Sequence, residues 1–197
     1  MTSHDPDLLR EVREYLHSNN DAMTSKPIPQ GAYSLFSFPA TPKHKHDEVY
    51  PGIILGDHSA ARSKEDLKEM GITHVVNTCM GAKFNMIDTS AEYFSDVGIK
   101  FFGFPGKDIF TYNLSQHFEK AADFIDKALA DNGKIYIHCM QGISRSGSTV
   151  LAFLMLKRDM PLKEAVKLVR AKREIFPNDG FLKQLCELNK KLHEKPS

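Results

Sequence analysis

The sequence lacks the features of secreted, membrane-spanning and nucleic-acid-binding proteins. Its 197 residues include only three cysteines, without the paired spacing of a disulfide framework or a zinc site. No run approaches the roughly 18 apolar residues of a membrane span, and the N-terminus lacks the apolar segment of a signal peptide. A net charge of +1 gives no bulk attraction to nucleic acid or acidic lipid. We therefore expect a protein of the cytoplasm, with the nucleus as an open second location, and with neither nucleic acid nor membrane as a partner.

The N-terminal segment, residues 1–46, is predicted to be a short helix followed by a covering arm. Apolar residues recur at helical spacing between Asp5 and His17. The stretch from Ser18 to Asp47 then carries four prolines and the basic patch Lys43–His46. Composition favours a solvated arm here, and a docking or dimerising role stays open.

From Glu48 onward, short apolar strands alternate with helical patterns. The predicted strands are Ile53–Leu55, His74–Thr78, Ile99–Phe104 and Lys134–His138. The predicted helices are Ser63–Met70, Ser115–Ala130, Ser146–Lys157, Leu162–Ala171 and Asn178–Leu192. This alternation predicts a single α/β domain with a central, mostly parallel sheet flanked by helices on both faces.

One segment of this pattern is typical of an anion-binding loop. Strand Lys134–His138 runs through a short loop into the helix at Ser146. Backbone N–H groups in such a loop, together with the positive end of the helix, attract a phosphate, and Gly142 permits the tight turn. Cys139 lies at the mouth of this field beside Arg145, so its pKa is expected to be low. A thiolate facing a bound phosphoryl group is a nucleophile.

Residues 138–146, HCMQGISRS, match the HCxxGxxR[S/T] signature of the cysteine-dependent protein tyrosine phosphatases. Four further segments resemble the atypical dual-specificity phosphatases, VHR-like in particular: GITHVVN at 71–77, NLS at 113–115, AADFID at 121–126 and PNDGF at 177–181. The resemblance implies the cysteine-phosphatase fold and a catalytic domain over residues 47–192, followed by a tail at 193–197.

The resemblance also implies a two-step reaction with a phosphocysteine intermediate and no cofactor or metal. Cys139 is the expected nucleophile, where the alternative is a buried structural thiol. Arg145 is expected to clamp the phosphate, where the alternative is a surface salt bridge. Ser146 is implied to hydrogen-bond the sulfur, although a helix-cap role alone would also suit a serine there. His138 is expected to orient the loop rather than to act directly in catalysis.

The leaving oxygen needs a proton, which a carboxylic acid on a loop near the site can supply. Asp108 follows a predicted strand in FPGKDIF, residues 104–110, where the resemblance places the general acid. Asp88 and Asp96 are the competitors, in less suitable positions.

The remaining loop residues are expected to bind the phosphate and shape the rim: Met140, Gln141, Gly142, Ile143 and Ser144. They lack the lysines that family members acting on phosphoinositides tend to carry, which favours a phosphoprotein substrate. Ile143 replaces an aromatic residue of VHR-like enzymes, so their peptide preference is not carried over.

Three further residues receive predictions from the resemblance. Phe84, near Met86, is predicted to line the pocket for an aromatic phosphoester, with ordinary packing as the alternative. Arg173 matches an arginine that binds a second phosphate, and an exposed helix arginine is equally compatible with the sequence. Cys79 is a candidate redox partner of Cys139, with a small buried residue as the alternative.

The sequence as a whole predicts a dual-specificity phosphatase that hydrolyses phosphotyrosine and phosphoserine or phosphothreonine in signalling proteins. The implied partners are phosphorylated proteins, with MAP kinases as one candidate group, and the expected state is a monomer or weak homodimer. Two alternatives stay open: a catalytically weak phospho-binding scaffold, and the same chemistry on a non-protein phosphate.

Overall fold

The computed structural model describes residues 6–18 and 42–193. In this part of the chain the strands are β1 His46–Tyr50, β2 Ile53–Gly56, β3 His74–Asn77, β4 Lys100–Gly103 and β5 Ile135–His138. The α-helices are α1 Pro6–Ser18, α2 His58–Ala61, α3 Lys64–Glu69, α4 Phe118–Ala130, α5 Arg145–Arg158, α6 Leu162–Arg170 and α7 Asp179–His193. None of these helices is long and apolar enough to cross a bilayer.

The five strands form one sheet in the order β1-β2-β5-β3-β4. Strand β1 runs antiparallel to β2, and the other neighbours are parallel. The register pairs His138 at the end of β5 with Gly56 on one side and Asn77 on the other. Three parallel strands therefore end at the same level, and the segments that follow them meet at one edge of the sheet.

Each face of the sheet packs against its own hydrophobic core. On one face Ile135 and Ile137 join a large core that includes α1 and α4 to α7. On the other face Tyr136 packs with residues of α2, α3 and the segment 94–99. The alternation along β5 follows from the two-residue period of a strand. The predicted α/β fold, with helices on both faces, is confirmed.

One strand and one α-helix were absent from the sequence prediction. Strand β1 was missed because only Val49 of its five residues is fully buried, so no apolar pattern marks it. Helix α2 contains only four residues, HSAA, and is held by the Asp57 side chain, which accepts from Ser59 N–H.

Helix α1 lies close to its predicted position and joins the main core. Leu9, Val12 and Leu16 are buried and belong to the same cluster as the sheet and α5. The helix thus packs as part of the catalytic domain instead of standing apart from it. Most of the predicted arm, residues 19–41, and residues 194–197 of the tail lie outside the described residues, as does Asp5.

Candidate active site

Residues 139–145 form a loop whose carbonyl groups accept hydrogen bonds from residues outside the loop. Each carbonyl from 140 to 143 accepts a hydrogen bond: Met140 from His58 N (3.1 Å) and Nδ1 (2.8 Å), Gln141 from Arg173 Nη2 (3.0 Å), Gly142 from Arg173 Nε (2.8 Å) and Ile143 from Phe176 N (3.2 Å). Because the N–H and C=O of a trans peptide point in opposite directions, the amides turn toward the centre. The loop is therefore a ring of inward N–H donors suited to an anion.

Gly142 is required by the shape of this loop. Its φ of 68° lies in the left-handed region that side chains rarely adopt. A Cβ atom at this position would overlap the carbonyl of Gly56 and approach Arg173 Nη2. The close approach of β2 and Arg173 thus leaves space only for glycine.

The sulfur of Cys139 lies buried within the ring. Gly142 N–H and Ser146 Oγ each donate a hydrogen bond to this sulfur at a distance of 3.3 Å. Burial alone would raise the pKa of Cys139, but the positive charge of Arg145 and the hydrogen bonds from Ser146 outweigh burial and lower it. The lowered pKa favours the thiolate, which is the nucleophilic form of cysteine, and the hydroxyl of Ser146 contacts the sulfur.

Replacing Ser146 with alanine is expected to raise the pKa of Cys139. The hydroxyl donates to sulfur and stabilises the thiolate, so its loss favours the neutral thiol. A hydrogen bond to a charged group contributes roughly 1.5–3 kcal/mol, which corresponds to an increase of about one to two pH units. The measurement is the pH dependence of Cys139 alkylation by iodoacetate. Ser148→Ala is the matched control, because Ser148 lies on the same helix as Ser146 but donates its hydroxyl to Ser144 O and not to the sulfur. An equal shift of the Cys139 pKa in both variants would contradict the role of Ser146.

Arg145 is buried, and its guanidinium is held from one side. Nη1 donates to Asn85 O (2.8 Å) and Gly106 O (3.1 Å), and Nη2 donates to Asn85 Oδ1 (3.0 Å). Nε is buried and has no hydrogen-bond partner among residues 6–18 and 42–193, although Asp108 Oδ2 is 3.5 Å away. A buried donor without a partner suits a phosphoryl oxygen. The alternative of a surface salt bridge is wrong.

Asp108 lies at the same cavity as Cys139 and Arg145. Its Oδ1 accepts from Ser144 Oγ and Asn178 Nδ2, each at 2.8 Å. These two bonds hold the carboxyl group over the loop, where it can exchange a proton with a substrate oxygen. Of the competitors, Asp96 pairs with Lys64 at 2.6 Å and Asp88 is exposed, and neither lines this cavity.

The cavity has a volume of about 670 Å³ and a partly apolar rim. Met140, Gln141 and Ile143 contribute uncharged groups to it, whereas Arg13 and Asp179 contribute charged ones. Phe84 is fully exposed at the rim, so the alternative of ordinary packing is wrong. An exposed aromatic ring beside a phosphate site is available to contact the aromatic ring of a phosphotyrosine.

Residues 53–191 match the family "Dual specificity phosphatase, catalytic domain". The chain belongs to that family. The mouse protein named dual specificity protein phosphatase 26 is 43% identical over 149 residues, which are 75% of this chain and 69% of that protein. Its human counterpart is 42% identical over the same lengths.

Solved structures give the same result for the fold. The crystal structure of human DUSP28 superimposes with a TM-score of 0.66 at 26% identity, and covers 78% of this chain and 99% of that chain. The structure of human tyrosine phosphatase-like serine/threonine/tyrosine-interacting protein gives 0.57 at 28% identity, and covers 71% of this chain and 92% of that chain. The predicted family, fold and class of enzyme, a dual-specificity protein phosphatase, are confirmed.

Arg173 matches neither of its two predicted roles, the binding of a second phosphate and an exposed arginine on a helix. It is only 2% exposed, so it is not an exposed helix arginine. Its Nη1 pairs with Asp47 Oδ2 at 2.7 Å, and its other nitrogens support the loop carbonyls from behind. A guanidinium already bonded on these sides and buried does not reach a second phosphate. Arg173 is a positioning residue for the phosphate loop.

His138 supports the phosphatase loop as a neutral ring. Burial lowers its pKa to about 4. Its Nδ1 lies 3.2 Å from the carbonyl oxygen of Cys139, and because a carbonyl only accepts, Nδ1 carries the proton in this hydrogen bond. The carbonyl of His138 in turn accepts from Thr78 N and Oγ1. This arrangement orients the start of the loop and provides no acid at neutral pH.

Cys79 lies in a small buried cluster with Cys139 and Ile87. Burial, followed by the nearby charge of Cys139, raises the pKa of Cys79 to about 12. Cys79 is therefore the weaker acid of the two, and Cys139 is the cysteine that ionises first. Their proximity leaves the role of Cys79 as a redox partner as a prediction.

The redox prediction is tested by peroxide treatment. Peroxide oxidises the Cys139 thiolate to a sulfenic acid, and attack by Cys79 releases water and forms a disulfide that dithiothreitol reduces. Wild-type activity is expected to recover almost fully, and Cys79→Ser to recover less than about half because its sulfenic acid oxidises further. Cys186→Ser, which changes a buried cysteine of the main core, is the control. Equal recovery of all three proteins would show that Cys79 gives no protection.

Several residues of the site carried no signal in the sequence. Asn85 holds Arg145, and His58 holds the carbonyl of Met140. Arg13 and His17, both on α1, line the same cavity as Cys139. Asn178 lies in the motif PNDGF, which resembles the family, but this motif did not predict that Asn178 contacts Asp108.

Proposed function

We propose that this phosphatase cleaves phosphate monoesters with Cys139 as nucleophile and Asp108 as proton donor. The observation that carries the proposal is the position of the Cys139 sulfur. It is hydrogen-bonded by Gly142 and Ser146 within a ring of amides, at a cavity that Arg145 and Asp108 also line. A nucleophile, an anion clamp and an acid are thus in one place.

In the first step the Cys139 thiolate forms a bond to phosphorus, and the bond from phosphorus to the ester oxygen breaks. Asp108 gives its proton to the departing oxygen, so the leaving group is a neutral alcohol or phenol. The inward amides and Arg145 Nε bind the equatorial oxygens of the phosphoryl group, where negative charge is spread in the transition state. The product is phosphocysteine.

In the second step a water molecule attacks the phosphorus of phosphocysteine. Asp108, now a carboxylate, takes a proton from that water, and the bond from sulfur to phosphorus breaks. The sulfur leaves as a thiolate, which the hydrogen bond from Ser146 stabilises. Inorganic phosphate is released, and the enzyme returns to its starting state.

The proposed substrates are proteins phosphorylated on tyrosine and on serine or threonine. The uncharged loop residues Met140, Gln141 and Ile143 support this choice over inositides, and exposed Phe84 supports an aromatic ester. The name of the relatives at 42–43% identity, dual specificity protein phosphatase 26, supports both classes of residue.

We also propose MAP kinases among the partners, a location in the cytoplasm and nucleus, and a monomer or weak homodimer. The resemblance to atypical dual-specificity phosphatases supports the proposed partners. The net charge of +1, which gives no bulk attraction to acidic lipid, supports the proposed location. Sedimentation equilibrium over a range of concentrations tests the oligomeric state.

The experiment that tests the substrate class compares turnover of peptides carrying phosphotyrosine, phosphothreonine, or both in a Thr-x-Tyr sequence. Phosphoinositide and nucleotide substrates are run beside them, with EDTA present throughout. We expect all three peptides to be hydrolysed faster than the two non-protein substrates. Turnover of a non-protein substrate alone would contradict the protein assignment, and binding of phosphopeptide without any turnover would indicate a scaffold.

A further inference from the structure

The cavity that contains Cys139 continues well beyond the phosphate loop. A phosphoryl group occupies only the ring of amides, whereas the cavity of about 670 Å³ extends to Arg13 and His17 of α1. Phe176 and Asp179 lie on the same wall. The N-terminal helix thus forms part of the surface that a substrate meets.

Helix α1 is held firmly enough to serve as such a wall. Leu9, Val12 and Leu16 are buried in the main core. At the end of the helix Arg170 Nη2 donates to the carbonyl of Leu16 at 3.2 Å. The ring of His17 meets the ring of Phe176 edge-on, with centroids 4.9 Å apart. These contacts fix which side chains of α1 face the cavity.

Arg13 presents a cation whose outer edge is available. Its Nε pairs with Asp179 Oδ1 at 3.1 Å, and within residues 6–18 and 42–193 the structure gives it no other hydrogen bond or ion pair. The Arg13 side chain is 40% exposed. A guanidinium has two bidentate edges, so the pair of Nη groups remains for an anion even while Nε holds Asp179.

The other charges at this wall leave room for an added anion. Asp179 is the nearby competitor, and it lies in the first turn of α7, whose positive end offsets part of its charge. Asn178 caps that helix by accepting from Phe181 N–H at 3.0 Å. Asp108 and Arg145 face the phosphoryl position instead. Burial is the largest cause that lowers the pKa of His17, and this favours the uncharged ring.

Building on the proposed function, we propose that Arg13 is a specificity-determining residue that binds an acidic group of the substrate close to the phosphorylated residue. The ligand chemistry is a carboxylate or a second phosphoryl group on the same peptide. A compact volume of 670 Å³ is about 11 Å across, which corresponds to about three residues of extended chain. The acidic group therefore lies within about three residues of the phosphorylated one.

The test measures kcat/KM of the full chain on a set of short phosphotyrosine peptides. One flanking position at a time carries asparagine, aspartate or phosphothreonine, so the two sources of negative charge are separated. Wild type is expected to prefer an acidic peptide over the asparagine peptide by about threefold to tenfold at one position. Arg13→Gln is expected to lose that preference, read as the ratio of kcat/KM for the acidic and the asparagine peptide, so that a general change in activity cancels. Turnover of a small aryl phosphate by wild type is measured as the reference for basal activity.

Two further variants separate the effect of the site from the effect of net charge. Asp179→Asn removes the internal competitor and is expected to increase the acidic preference. Arg10→Gln removes the same charge from the same helix, but Arg10 pairs with Asp7 at 2.8 Å and does not line the cavity, so the preference is expected to persist.

Each outcome decides for or against the subsite. The absence of any acidic preference in wild type, its persistence in Arg13→Gln, or its equal loss in Arg10→Gln would overturn the proposal. Failure of wild type to hydrolyse the aryl phosphate would instead contradict the proposed function, so the two failures are distinguishable. Thermal melting of each variant identifies a folding defect, and the opposite shift expected for Asp179→Asn does not depend on the stability of Arg13→Gln.

Discussion

Replacing Cys139 with serine is expected to lower kcat/KM for aryl phosphates by about 10⁴-fold or more. The lowered pKa of Cys139 favours the thiolate, which is the nucleophilic form of the sulfur, whereas a serine hydroxyl in the same place stays protonated. In addition, His138 hydrogen-bonds the backbone and Ser146 donates to position 139, so neither of these two neighbours serves as a base for the serine hydroxyl. The variant therefore lacks the thiolate, and these neighbours do not replace it.

Binding is expected to survive in Cys139→Ser. The anion site consists of backbone amides and Arg145, which the substitution leaves in place. Loss of the thiolate also removes a negative charge that repels the phosphate. Isothermal titration with a phosphotyrosine peptide is expected to give an affinity equal to or tighter than that of wild type.

The matched control for this prediction is Cys186→Ser, which alters a buried cysteine of the main core. Its activity per folded molecule is expected to equal that of wild type. Residual activity of Cys139→Ser above about one per cent would show that another group attacks phosphorus.

Replacing Asp108 with asparagine is expected to lower kcat by about 10²- to 10⁴-fold for substrates with poor leaving groups. Asparagine has the same shape and retains an oxygen that accepts from Ser144 and Asn178, so the loop is expected to keep its position. What is lost is the proton. The deficit is therefore expected to shrink for a nitrophenyl ester, whose leaving oxygen needs little protonation, and to be largest for phosphothreonine.

The measurement is kcat for a series of aryl phosphates that differ in the acidity of the leaving phenol. A steeper dependence on that acidity in Asp108→Asn than in wild type would identify Asp108 as the proton donor. Asp88→Asn, at an exposed position outside the cavity, is the control and should match wild type. A uniform loss across the series would assign Asp108 a positioning role only.

The sequence by itself determined the phosphate loop. Cys139, Gly142, Arg145 and Ser146 lie within eight positions, between a strand and a helix that their own patterns predict. Because these four residues are so close in the sequence, the short loop between the strand and the helix has few possible conformations. The backbone alone therefore brings the four residues together. For the same reason the α/β alternation predicted the central sheet, whereas strand β1 escaped notice because little of it is buried.

Only the tertiary structure decided which distant groups complete the site. Asp108 meets Ser144 across 36 positions, Arg173 reaches Asp47 across 126, and Arg13 reaches Asp179 across 166. An arginine near a helix end has the same local signature whether it is exposed or buried, so the sequence could not show that Arg173 supports the loop. Contacts of this kind depend on how the helices pack on the sheet, so only the folded structure shows that α1 lines the cavity.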